Sequence, residues 1–279
     1  GILLAHTFEN VVAHNHIEDL YYTAISVGWS WGYREHATRD NLILHNRIRR
    51  VGQGLLSDLG AIYLLGVQPG TVIYGNHVSE LELRHYGGWG IYLDEGASHV
   101  RVAGNLVHHI QGPPLNVHFG RDNLIERNVF VSSKESGVVS IGKSEPHRSI
   151  LLLRNVLVAR GPALYEGGYA GDPNASLSCG LNTVFCGEDC QATNYPDWRE
   201  DTPLARPAWM EQGQDAGSVF KPLPRLTFDP GGAFAEALLE PVDTRLFGTK
   251  HPWSMSGPRP TDERTVLKQP LTRRERPAT

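Results

Sequence analysis

Long apolar runs are missing from this 279-residue chain: nowhere do about eighteen such residues follow one another, so no segment reads as a membrane-spanning helix. A basic face is missing too. Lys and Arg cluster only in roughly the last twenty residues and the formal net charge is -4, so nothing points to a nucleic-acid partner. Cysteine is scarce: Cys179, Cys186 and Cys190 share one short segment, which allows one local disulfide with one thiol left over. Cys186 and Cys190 lack the second pair that a zinc-finger site needs. No long stretch before residue 200 spaces its apolar residues by three and four, so helices contribute little there. Walker and dinucleotide fingerprints are absent as well, and the glycine-rich stretches read as turns. What remains is 40% apolar and 20% charged, an ordinary balance for a chain able to bury one or two cores; the compartment is not written in these residues.

Against these absences stands a repeat. The segments VVAHNHI, LILHNRI, VIYGNHV, VRVAGNLV, LIERNVF and LLLRNVL align Asn15, Asn46, Asn76, Asn105, Asn128 and Asn155, which lie 31, 30, 29, 23 and 27 residues apart. Such a period is that of a solenoid with one supersecondary unit per coil. A second strand recurs between the asparagines: AISVG, AIYLLG, GIYLDEG, NVHFG, VVSIG and ALYEGG. Short β-branched strands separated by Gly, Asn and Asp, more than one per coil, predict an all-β chain: a single-stranded right-handed parallel β-helix. An asparagine fits a repeated corner because it tolerates the left-handed backbone region and its amide bonds to the amides above and below.

Aligned residues of successive coils are then about 4.8 Å apart. Aligning the second strand turns Ile25, Ile62, Ile91, Val117 and Val139 inward, with Val27, Leu64, Leu93, Phe119 and Ile141 in the next inward column. Ser26, Tyr63, Tyr92, His118 and Ser140 turn outward. The longest insertions, RVGQGLLSDLG and SELELRHYGGWG, precede this strand in coils two and three, and insertions on one side of a solenoid build its binding face. Asp58 lies in the first insertion and Asp94 ends the next strand down, so two carboxylates approach one aromatic-lined cleft. Asp58 also suits the turn SDLG, and Asp94 with Glu95 also suits a solvated strand end. Their coincidence on adjacent coils, flanked by Tyr63, Trp89, Tyr92 and His118, favours a site. Trp29 and Trp31 stand at one end of the cleft, and Arg121 follows His118 by three residues. Indole and phenol faces beside paired carboxylates suit a sugar, whose C–H faces stack while its hydroxyls take polar partners. Glu95 is the reserve carboxylate, because neighbours on an extended chain point to opposite sides.

The stretches TAISVGWSWGY, GQGLLSDLGAIYLLGVQPGTVIYGN, GGWGIYLDEGASHVRVAGNLVHH and VHFGRDNLIERNVF resemble the right-handed parallel β-helix proteins grouped around glycoside hydrolase family 141, whose described activities include α-L-fucosidase and xylanase. AWMEQGQDAGSVFKPLPRLTFDP resembles the segment that closes those β-helices, so the likeness spans roughly residues 1 to 250. The resemblance implies two catalytic aspartates, Asp58 in SDLGAIY and Asp94 in IYLDEG, and a secreted or periplasmic location. It also implies a His-x-His arrangement where this chain has Asn116, Val117 and His118, so substrate choice differs at that point.

The expectation is therefore a glycoside hydrolase acting on a plant-type or other complex polysaccharide or oligosaccharide. Asp58 and Asp94 would share the roles of acid and of nucleophile or base, with no assignment between them. The partner is a carbohydrate. No metal or other cofactor is assigned, although calcium occurs in β-helices with carboxylate clusters. Two rivals stand beside it: a non-catalytic carbohydrate-binding solenoid, and a polysaccharide lyase, which needs cationic partners for a uronate. By composition the coils span 1–171, an irregular capping segment with a short helix at PAWMEQGQ spans 172–255, and a tail poor in apolar residues spans 256–279.

Overall fold

A computed structural model describes residues 1–161, 163–167, 173–187, 191–193 and 205–223. Within it the strands stack in three parallel sheets of eight, seven and eight strands, and neighbours in a sheet are successive coils. The chain is a parallel β-helix. The sheet that carries the candidate site runs Ile2–Leu4, Ile25–Gly28, Leu59–Leu65, Gly88–Leu93, Leu115–Val117, Val139–Ile141, Ala163–Gly167 and Gln191–Thr193. Stacking continues past the expected boundary at 171, since Leu177–Gly180, Thr183–Cys186 and Val219–Pro222 extend the other two sheets. The expected short helix is Arg206–Glu211. Cys179 and Cys186 are free and buried, whereas Cys190 and the tail from 256 lie outside the described residues.

The core follows from strand alternation: Ile25, Ile62, Ile91, Leu115 and Val139 form one solvent-free column, and Val27, Leu64, Leu93, Val117 and Ile141 another. The expected columns therefore need correction in the fourth coil. Leu115, not Val117, pairs with Ile91, and Asn116, not His118, pairs with Tyr92. Phe119 leaves the core column and is half-buried beside His118. A slip of two residues exchanges Phe119 for Leu115 in the core and keeps the same alternation of faces, so hydrophobic pattern alone does not choose between the two registers.

The asparagine corner is present, with a different division of labour from that expected. The residue before each asparagine takes the left-handed conformation: His14, His45, Gly75, Gly104, Arg127, Arg154 and Leu181 have φ between 51° and 66°. The asparagine itself turns inward. Its Nδ2 donates to Oδ1 of the next asparagine along Asn15, Asn46, Asn76, Asn105, Asn128, Asn155 and Asn182, at 2.9 to 3.2 Å. From Asn15 to Asn155 the backbone N–H donates to the same oxygen. Asn182 is a seventh member that the repeat pattern did not include, its preceding strand LSCG being poor in aliphatics.

Candidate active site

Asp58 sits where the two insertions zip together. Its N–H donates to the Tyr86 carbonyl (3.2 Å), Leu59 N–H to Gly87 (2.8 Å), and Arg84 N–H to Leu56 (2.9 Å). The turn holds Asp58 at φ 57°, a left-handed conformation that Asp tolerates better than most residues. Tyr22 closes the arrangement from the preceding coil, its hydroxyl donating to the Asp58 carbonyl at 2.9 Å.

Asp94 follows strand Gly88–Leu93 and is buried under the rings of its own face. Three donors converge on its carboxylate: Tyr63 OH on Oδ2 at 2.5 Å, Tyr92 OH on Oδ1 at 2.8 Å and His118 Nδ1 on Oδ1 at 2.9 Å. The slip in the fourth coil explains the third. His118 N–H donates to the Leu93 carbonyl, which places His118 at the rung of Asp94, not of Tyr92. Asn116 is buried beside Tyr92. Glu95, half-buried, offers its carbonyl to the N–H groups of Gly32 and Gly66, both at 3.2 Å, whereas it is the Asp94 carboxylate that the phenols of Tyr63 and Tyr92 contact.

Aromatic rings line the same face. Trp89 packs on Tyr92 (4.2 Å between centroids), Tyr92 on Tyr63 (5.1 Å) and Trp29 on Tyr63 (5.9 Å), with Trp31 edge-on to Trp29 at 6.0 Å. Trp29 and Trp31 are both exposed. Trp29 has φ 148°, a region avoided by bulky side chains and costing on the order of 1–3 kcal/mol, so tertiary contacts hold its indole against the tyrosines.

The two carboxyl groups are pushed in opposite directions. Burial pushes Asp94 up, but the bonds from His118, Tyr63 and Tyr92 outweigh it and hold the carboxyl below its ordinary value. Asp58, an exposed residue, is raised by the desolvation of its carboxyl and by the Asp94 charge, with His118 opposing. His118 itself is raised by its bond to Asp94. Burial and the Asp94 carboxylate keep the Tyr63 and Tyr92 phenols protonated.

No known family model, curated protein or solved structure matches this chain.

Arg121 makes no ion pair with either aspartate, and its guanidinium lies 5.4 Å from the ring of Tyr33. Tyr33 belongs to loop 29–36, which crosses the coils: Gly32 bonds to Glu95, and the Tyr33 hydroxyl donates to the Glu145 carboxylate 112 residues away. Gly96 lets the loop approach, since a Cβ there would lie 2.0 Å from the Gly32 oxygen. Tyr22 and Tyr33 were not among the candidates read from sequence. Tyr22 had a signal, an aromatic just ahead of the site strand as in coil three; the reach of Tyr33 had none. A groove of about 660 Å³ on another side, lined by Glu82, His109, Lys134 and Arg160 among others, contains none of the candidate residues. Among the described residues no cluster of three or more His, Cys, Asp and Glu suits a metal ion, and no helix is long and apolar enough to cross a membrane.

Proposed function

We propose that the chain is a glycoside hydrolase whose reaction is carried by Asp58 and Asp94. The observation that supports this reading is a carboxylate held by three donors, Tyr63, Tyr92 and His118, within electrostatic reach of a second carboxyl on a face lined by indoles and phenols. Adjacent carboxyl groups driven apart in acidity divide naturally into an acid and an anion. Asp58, raised, is the acid: it gives its proton to the glycosidic oxygen as the bond to the anomeric carbon breaks. Asp94, kept ionised, either bonds to that carbon or takes the proton of an attacking water. Trp29 and Trp89 supply stacking surface for the sugar rings.

The test replaces each aspartate separately with Asn and measures release of reducing ends from a panel of plant polysaccharides and aryl glycosides, with circular dichroism as the fold control. Asp94→Asn is expected to lose at least about a thousandfold in turnover, a scale set by losing transition-state charge stabilisation. Asp58→Asn should lose less on substrates with acidic leaving groups such as nitrophenol, because those need little protonation. Near-normal rates in both variants reject the reading. Affinity for a glycan with no product after prolonged incubation favours a binding solenoid, and an unsaturated product absorbing in the ultraviolet favours a lyase.

A further inference from the structure

Loop 29–36 builds a second cluster beside the carboxylates, and its charges do not cancel. Asp122 is paired with Arg148 at 2.9 Å. Glu145 is matched by His147 at 3.2 Å and more distantly by Lys143 at 4.0 Å, and it accepts the Tyr33 hydroxyl. Arg121 remains: it is exposed and, among the described residues, has no carboxylate within ion-pair distance. Its backbone is fixed, because Ser98 pairs with Arg121 in a short ladder and Arg121 N–H donates to Ser98 Oγ at 2.9 Å. That ladder begins three residues after Asp94, where Ala97 N–H returns to the Asp94 carbonyl at 2.8 Å.

Both cations rest on rings. The Arg121 guanidinium lies over Tyr33, and Lys143 Nζ lies 5.0 Å over Phe119. Phe119 in turn meets the His118 ring at 5.1 Å and the Tyr33 ring at 5.9 Å, so an unbroken line of contacts runs from Asp94 through His118 and Phe119 to Tyr33 and Arg121. The Asp94 carboxylate repels an anionic sugar at the reacting position. At the far end of that line of contacts, a planar guanidinium with free donors and an aromatic backing suits a carboxylate or sulfate, which it can grip with two parallel bonds.

We propose that Arg121 and Lys143, mounted on Tyr33 and Phe119, form a subsite for an acidic sugar residue carrying a carboxylate or a sulfate ester. The proposal rests on the reading of the cleft as a glycan site, and it names the substrate class: a charged polysaccharide, not a neutral one. Glu145 serves as the brace that fixes Tyr33 under the guanidinium.

The experiment is calorimetric binding of trigalacturonate, a sulfated κ-carrageenan tetrasaccharide and neutral xylotriose to the full chain, in an Asp94→Asn background so that no bond is cut. At low salt the carboxylated or the sulfated probe is expected to bind at least about tenfold more tightly than xylotriose, the scale of one charged hydrogen-bonding contact; whichever is preferred identifies the anion. Arg121→Gln should abolish that advantage and leave xylotriose affinity unchanged. About 0.5 M NaCl should erode it. Equal or tighter binding of xylotriose, binding of neither acidic probe, or an Arg121→Gln variant that weakens all three alike would each overturn the subsite. Acid-selective, Arg121-dependent binding by a chain that cleaves nothing would keep the subsite and remove the hydrolase reading. Cleavage of acidic as well as neutral glycan at a rate that Arg121→Gln leaves unchanged would do the reverse.

Discussion

Replacing Asn76 by Ala tests what holds the coils in register. Asn76 is fully buried, and its Oδ1 accepts both the backbone N–H and the Nδ2 of Asn46 at 2.9 Å. Its Nδ2 donates to Asn105 Oδ1 at 3.0 Å and to the Ile43 carbonyl at 2.9 Å. Alanine keeps the backbone bond to Asn105 but strands the buried Asn46 N–H, while Asn46 Nδ2 retains the Val12 carbonyl at 2.9 Å. One stranded buried donor costs about 1–3 kcal/mol, and the lost amide bonds add about 1 kcal/mol each. A destabilisation of about 3 kcal/mol follows, or about 6–12 °C in melting temperature. Asn15→Ala is the internal control: Asn15 ends the ladder, only donates along it, and its loss strands no buried N–H. It should cost about 1 kcal/mol or less. Urea unfolding followed by circular dichroism gives both values from the midpoints at constant slope. If Asn76→Ala costs no more than Asn15→Ala, the ladder is decoration, and backbone pairing alone sets the stacking.

Activity should fall on the acid side as Asp94, held below its ordinary value, gains a proton, and on the alkaline side as Asp58, held above its own, loses one. His118→Gln removes a charged donor from Asp94 and a neighbouring cation from Asp58, so both limbs of the kcat/KM profile should move to higher pH; limbs that stay put contradict the arrangement. His77 Nε2 and His108 Nε2 share one proton at 2.7 Å, and burial, then Arg47, lower His77 to about 4 from 6.5. Between those values the unfolded chain takes up a proton that the folded chain refuses. Stability should therefore drop as pH falls, by at most about 3 kcal/mol, and unfolding midpoints of His77→Gln should show a flatter pH dependence. In the C-terminal segment buried Asp215 accepts bonds from Tyr165, Trp209 and Ser218, all at 3.1 Å. Asp215→Ala strands those donors and should cost roughly 2–5 kcal/mol by thermal melt, clearly more than Asp215→Asn.

The chain's own periodicity determined that it would coil, where its corners fall, and that Asp58 and Asp94 would share a face. Those features depend on short-range rules: alternation along a strand, and a turn residue ahead of each asparagine. The partners of Asp94 were legible only in part. Tyr63 and Tyr92 lie on strands whose register the apolar columns fix, and both donate to it as alternation suggests. His118 required the stack itself, because a slip of two residues keeps the alternation of apolar and polar faces while moving the imidazole from the rung of Tyr92 to that of Asp94. The link from Tyr33 to Glu145 and Arg121 lay further out of reach, since a loop crossing several coils is positioned by contacts with residues more than a hundred positions away, and no local pattern records them. Sequence thus set the coil and the pair of carboxylates; tertiary packing decided which of them is the more acidic and which side chains surround it.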